Sequence, residues 1–242
     1  MIITSKDNSK IKEARKLLDK KYSNSKKLFL IEGENLVEEA FKNNLLVELF
    51  VLDGCDPKID FPYINCSLDV MKTLSDLKST PRLIGVSRYN LKDDLGSKIV
   101  ILDDIQDPGN AGTIIRSSVA FGVDTIVLSK NSVSPYNPKV LRSTGGMIYN
   151  VNIIIDDLEN VIKNLKNNSI KIIGSSLKKS NNLESININD NYALVVGNEG
   201  NGVSDKILSL CDEIVRIDME KECESLNVGV ATSIILYHLY KR

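Results

Sequence analysis

A chain of 242 residues, 42% of them hydrophobic and 26% charged, has enough apolar mass for a packed core, which excludes disorder over most of its length and favours two small domains over one large one. The formal net charge of −1 by itself argues against a nucleic-acid partner, but it hides an asymmetry: residues 1–27 carry nine basic and three acidic side chains, net +6, leaving −7 for the rest. Cys55, Cys66, Cys211 and Cys223 form no CxxC pair, and His238 is the only imidazole, so neither a metal site nor a disulfide framework is expected. The N-terminus is too polar for a signal peptide, and no run approaches the roughly 20 apolar residues that span a bilayer, which predicts a cytoplasmic protein without a membrane partner.

Residues 8–21 predict a helix with Ile11, Ala14 and Leu18 on one face and Lys12, Arg15 and Lys16 elsewhere. Strand-like runs at 28–31, 46–52, 62–65 and 83–86 then alternate with helical segments at 35–42 and 69–77, a small α/β unit. The polar stretch 89–97 contains a Gly-Ser pair and predicts a linker, dividing the chain into domains 1–92 and 98–242. Beyond it, apolar runs at 99–102, 125–128, 151–155, 171–174, 193–196 and 213–217 are each followed by a turn and usually a helix. That alternation predicts a mostly parallel sheet with helices on both faces. The last helix, from about 226 to 240, is apolar nearly all round, since Val228, Val230, Ile234, Ile235, Leu236 and Leu239 fit no single stripe. It needs cover from a domain core or from a dimer partner.

Three blocks carry candidate chemistry. LDDIQDPGNAGTIIR over 102–116 predicts a strand, a Pro-Gly turn and a helix N-capped by Asn110, with Arg116 about two turns in. ALVVGNEGNG over 193–202 is again a strand and a glycine-rich loop, in which Gly197, Gly200 and Gly202 permit close backbone approach and positive φ. A dinucleotide site competes here, with Asp218 as the ribose-binding acid, but the spacing is GxxGxG and too little chain follows for a doubly wound half. The third block, IVRIDM at 214–219 with SLNVGVA at 225–231, places Ser225 and Asn227 at a helix start.

In this order and spacing the blocks resemble the SpoU-type (TrmH) branch of the SPOUT methyltransferases, over nearly the whole chain. SPYNPKVLRSTGG at 134–146 is similar to the family's RNA-side segment, and FLIEG at 29–33 with PRLIGV at 81–86 resembles its L30-like substrate-binding domain. The resemblance implies an α/β fold: a C-terminal parallel sheet tied in a trefoil knot, plus a small L30-like N-terminal domain. It further implies an S-adenosylmethionine-dependent RNA ribose 2'-O-methyltransferase, acting on ribosomal RNA rather than tRNA, and a homodimer through the catalytic domain. By position it assigns Asn110, Arg116, Glu199, Ser225 and Asn227 to catalysis. It assigns Gly197, Gly202, Ile217, Met219, Leu226 and Asn227 to the cofactor, and Arg116, Lys139, Arg142 and Thr144 to RNA. Lys12, Arg15 and Lys16 of the basic N-terminal helix are expected to join the RNA contacts.

Three positions depart from the pattern. Asp218 stands where Pro is common, Gly229 replaces a more usual Ser and is expected to loosen the start of the last helix, and Thr144 replaces Ser while keeping the hydroxyl. The guanidinium of Arg116 normally stays protonated, so a phosphate grip is expected of it, with a phosphate oxygen, water or a transiently neutral Arg taking the proton. His238, near a helix C-terminus, is expected to serve structure. A non-catalytic RNA-binding protein on the same fold is the alternative from another class, and S-adenosylmethionine binding separates the two.

Overall fold

The stretch predicted as one helix over 8–21 folds as two, α1 (Ser9–Lys16) and α2 (Lys20–Lys26). Asp19 makes the break: its backbone is extended and its carboxylate accepts from Tyr22 N–H, so a new helix starts there. Ile11 and Ala14 are buried as expected, whereas Leu18 falls in the break, 39% exposed, and Leu17 takes the buried position. The computed structural model describes residues 2–90, 95–178, 180–186 and 191–241, and the chain divides into two units, Met1–Asn90 and Leu91–Arg242. Residues 91–94 of the predicted linker lie outside the described residues.

The N-terminal unit is a mixed sheet in the order β1-β4-β3-β5-β2, built from β1 (Ile2–Ile3), β2 (Leu28–Glu32), β3 (Leu46–Leu52), β4 (Ile64–Cys66) and β5 (Leu83–Arg88). Helix α3 (Glu34–Lys42) buries Leu36, Val37 and Ala40, while α1 and α4 (Leu68–Met71) enclose a cluster with Leu30, Phe50, Leu74 and Ile84. The helix predicted over 69–77 stops after α4. Thr73 returns its hydroxyl to the Val70 carbonyl and Ser75 accepts from Leu77 N–H, side-chain bonds that replace the helical ladder.

The C-terminal unit holds seven parallel strands in the order β10-β12-β9-β11-β6-β7-β8. Six coincide with the predicted apolar runs to within a residue at either end: β6 (Lys98–Asp103), β7 (Thr125–Leu128), β8 (Asn152–Ile155), β9 (Lys171–Ser175), β11 (Tyr192–Gly197) and β12 (Glu213–Arg216). The edge strand β10 (Asn181–Asn182) carries no apolar signal, so nothing in the sequence predicts it.

Helices α5 (Pro108–Ala120), α6 (Pro138–Thr144), α7 (Leu158–Asn167), α8 (Asp205–Leu208) and α9 (Val228–Tyr240) follow strands β6, β7, β8, β11 and β12 in turn. On one face, Ile99, Ile101, Val127, Ile172, Ala193 and Val195 pack with Leu158, Ile162, Leu165 and Ile207 of α7 and α8.

Helix α5 packs against both α6 and α9 at close range. A Cβ on Gly112 would stand 2.3 Å from Ser143 Cβ, and one on Gly229 would stand 3.0 Å from Thr113 Cγ2. Gly229 therefore seats α9 on α5 rather than loosening it, and the helix starts cleanly at Val228 behind its N-cap Asn227. Ser117 and Ser233 hydroxyls meet at 2.7 Å, and the Phe121 ring lies edge-on to Tyr237. Gly229, Thr232, Ile235 and Leu236 of α9 are buried, while Val230, Ile234, Tyr237 and Tyr240 are exposed.

Sheet register brings two of the chemistry-bearing loops together. β11 lies beside β6 with Gly197 opposite Asp103, so the loops that leave the carboxyl ends of these two central strands emerge level and adjacent.

Candidate active site

The first loop starts with a turn that no sequence signal marks. Asp104, directly after β6, has φ +59°, a left-handed conformation that Asp tolerates better than most residues. Ser129, at the end of β7, holds it: its hydroxyl donates to Asp104 Oδ1 at 2.6 Å and accepts from Asp104 N–H at 3.1 Å. Helix α5 then begins at Pro108, whose missing N–H costs nothing in the first turn. Its N-cap is Asp107, not Asn110 as expected: the Asp107 carboxylate accepts from Asn110 N–H at 2.8 Å. That correction frees the Asn110 side chain for other partners.

The second loop folds onto itself. Asn198 pairs with Gly202, and Gly202 N–H donates to the Asn198 carbonyl at 2.8 Å. A Cβ on Gly197 would lie 2.1 Å from the backbone of Gly202 and Val203, so only glycine fits. Its close approach is thus to its own chain, whereas open space lies beside Gly202, where φ is +71°. Asp103 anchors the loop's exit by accepting from both the N–H and the hydroxyl of Ser204, at 2.8 and 2.7 Å.

Glu199 projects from this loop into the start of α5. Its carboxylate accepts from Gln106 N–H at 3.3 Å, Asp107 N–H at 3.1 Å and Asn110 Nδ2 at 3.0 Å. Burial acts to raise its pKa, but the bonds from Asn110 and from backbone amides outweigh burial and hold the carboxyl below its ordinary value. The helix N-terminus adds its own preference for negative charge. Asn110 Oδ1 in turn accepts from Asn227 Nδ2 at 2.8 Å, and Asn227 Oδ1 caps α9 through Gly229 and Val230 N–H. A continuous chain, Glu199 to Asn110 to Asn227, joins the three sequence blocks.

The third segment is apolar at three positions. Ile217, Met219 and Leu226 are half-buried, and a turn forms where Cys223 N–H donates to the Glu220 carbonyl. Half-exposed apolar side chains on an irregular segment are the kind of surface that suits an adenine, and a Cβ at Gly202 would meet nothing within 4 Å. Asp218 accepts from Arg216 Nε at 3.1 Å and from Asn182 Nδ2, which ties β10 to β12. Ser225 is exposed, and its carbonyl accepts from Cys223 Sγ. Burial pushes the thiols of Cys66 and Cys211 up to about 11, so both stay protonated at neutral pH. Among the described residues no group of His, Cys, Asp and Glu is placed to hold a metal, and no helix is long and apolar enough to cross a membrane.

Of the residues expected to face RNA, Arg116, Lys139 and Arg142 are exposed, and the Arg116 guanidinium lies against the Gly145 turn that ends α6. Thr144 is not available as a contact: it is fully buried, its hydroxyl donates to the Leu141 carbonyl and accepts from Gly146 N–H, and it shapes that turn. In the N-terminal unit, Lys12 pairs with Asp7 at 2.8 Å and Lys16 with Glu13 at 2.9 Å, leaving Arg15 exposed beside them. Asp103, Asp104, Asn198 and Ser204 carry no sequence signal for these roles because they bond to loops distant in sequence, whereas the Asp107 cap has a local Asp-Pro signal that outranks Asn110.

Comparison with known proteins gives matches over both units. Residues 97–237 match the SpoU rRNA Methylase family, and residues 8–85 match the MRM3-like substrate binding domain. The 23S rRNA (guanosine(2553)-2'-O)-methyltransferase RlmP of Bacillus subtilis is 34% identical over 244 residues, covering 98% of each chain. A crystal structure of an RNA 2'-O ribose methyltransferase superposes with TM-score 0.83 at 26% identity, covering 100% of this chain and 98% of the other. The AdoMet-bound rRNA methyltransferase of Sinorhizobium meliloti shares the fold, with TM-score 0.88 at 23% identity over 100% of this chain and 97% of its own.

Proposed function

The chain belongs to the SpoU rRNA methylase family, and from that premise we propose that it transfers the methyl group of S-adenosylmethionine to a ribose 2'-hydroxyl of large-subunit ribosomal RNA. The observation that carries this reading is the Glu199–Asn110–Asn227 chain at the ends of β6 and β11, which brings all three blocks to one place. Bound S-adenosylmethionine supplies an electrophilic methyl group; the residues here hold it, orient the ribose and relieve the hydroxyl of its proton.

Ile217, Met219, Leu226 and Asn227 would hold the cofactor, with Gly197 and Gly202 keeping the loop thin. Glu199, ionised and fixed by three donors, holds the Asn110 amide in place, so that Asn110 and Asn227 present a rigid polar edge beside Ser225. Arg116 grips the phosphate next to the target ribose and stabilises the developing alkoxide, while a phosphate oxygen or water takes the proton. Lys139 and Arg142 extend the positive surface along α6.

The N-terminal unit is the RNA-docking module in this reading, and its phosphate contacts extend beyond α1. Lys20, Lys21, Lys26 and Lys27 are exposed and form no ion pair with a described residue, whereas Lys12 and Lys16 must first exchange an acidic partner. Two local choices favour function over stability: Lys20 and Lys21 sit in the first turn of α2, where the dipole disfavours cations, and Lys27 adopts φ +54° without being glycine. The same reading includes a trefoil knot in the C-terminal segment and a cytoplasmic location, both from the family resemblance, and a homodimer, which the exposed stripe Val230, Ile234, Tyr237 and Tyr240 on α9 supports.

The test pairs isothermal titration with S-adenosylmethionine and methyl transfer to in vitro transcripts of bacterial 23S rRNA and of tRNA. One site per chain and 2'-O-methylation of the 23S transcript are expected. Transfer to tRNA alone would replace the substrate, and absence of cofactor binding would favour the non-catalytic RNA-binding alternative.

A further inference from the structure

We infer that Asn198 is a positioning residue, whose two-ended amide clamps the cofactor loop to the RNA-facing block; the inference rests on the methyltransferase reading above. Its Oδ1 accepts from Gly200 N–H at 2.9 Å and Asn201 N–H at 3.3 Å, closing its own loop. Its Nδ2 donates to the Asp104 carbonyl at 3.0 Å, in the other loop. Amide donors can meet only the oxygen, and a carbonyl only the NH2 group, so the partners fix which way the side chain points.

The Asp104 carbonyl is available because the left-handed turn held by Ser129 aims it at residue 198, where it also receives Gln106 Nε2 at 3.2 Å. The effect falls just beyond the clamped residue in each loop. Glu199 follows Asn198 directly, and the amides it accepts from, Gln106 and Asp107, follow Asp104. With the clamp closed, both partners of those bonds arrive preset. Without it, Glu199 and the start of α5 drift independently, and Asn110 loses its fixed orientation. Misplacement by about an ångström between reacting groups lowers turnover by roughly a hundredfold, so a modest drift is measurable.

Asn198→Asp separates the two ends, because a carboxylate still accepts from Gly200 and Asn201 N–H but cannot donate to the Asp104 carbonyl. At neutral pH, hydrogen exchange is expected to speed by about tenfold or more at Gln106 and Asp107 and to stay unchanged at Gly200 and Asn201. With substrate, kcat is expected to fall by about tenfold or more, while the S-adenosylmethionine Kd stays within about threefold of the parent. Asn198→Ala loses both ends and is expected to speed exchange at all four amides and to weaken cofactor binding as well; if it does not fold, Asn198→Asp decides alone.

Unchanged exchange at Gln106 and Asp107, or normal kcat in Asn198→Asp, overturns the clamp. So does a cofactor Kd weakened as much as kcat falls, which would mark a loop-folding role. A parent protein that transfers no methyl group defeats the functional reading instead, and the exchange pattern of the apo protein still judges the clamp.

Discussion

Glu199 is the side chain whose surroundings make the sharpest demands. Its carboxyl lies below its ordinary value because Asn110 and backbone amides favour the ionised form over the cost of burial. A lowered pKa contributes stability that is present above the unfolded-state value, about 4.3, and disappears as pH falls through the folded value beneath it. Thermal melts of the parent and of Glu199→Gln should therefore differ at pH 6 and converge toward pH 3, and a constant difference would contradict the assignment. Arg116 offers a second test at this scale. Lysine keeps the charge but loses the planar fork, so Arg116→Lys is expected to lower kcat by about a hundredfold while RNA affinity changes by less than about threefold. Near-normal turnover would leave the phosphate grip untenable.

Elements bring these residues together through backbone fit. Gly197 closes β11 against the Gly202–Val203 backbone, where a methyl group has no room, and Gly197→Ala is expected to cost about 1–3 kcal/mol and to weaken S-adenosylmethionine binding measured by titration. For α2, replacing Lys20, Lys21, Lys26 and Lys27 by Ala should flatten the slope of log affinity against log salt by about 0.7 for each lost contact with single-stranded RNA. Lys12→Ala with Lys16→Ala should flatten it less. The strands are legible in the sequence because a buried parallel strand is a continuous apolar run, as at 99–102, 125–128 and 193–196. The break at Asp19 is not, because the period of α1 and α2 is nearly continuous and a single capping bond decides it. Within the site, the motif residues Asn110, Glu199 and Asn227 are legible one by one. That they touch is not, and neither are Asp104 and Asn198, whose roles depend on which strands become neighbours.

Taken whole, the chain leaves an apolar stripe on its last helix. Val230, Ile234 and Tyr237 recur at helical spacing on the side of α9 away from the buried Ile235 and Leu236. Light scattering of the parent is expected to give twice the chain mass of 26.9 kDa, and Ile234→Glu to shift it toward the single-chain value. An unshifted dimer would place the interface elsewhere. The pairing of β6 with β11 also bears on how the protein is made. Residue 98 meets residue 192 at the centre of the sheet, so a growing chain carries the open edge of β6 until β11 has left the ribosome. Loop closure of that length is slow, and an unpaired apolar strand edge invites association with other chains. Translation that stalls before Gly197 should accordingly yield aggregates, and the yield of soluble protein should rise when elongation through the β10–β11 region is not delayed.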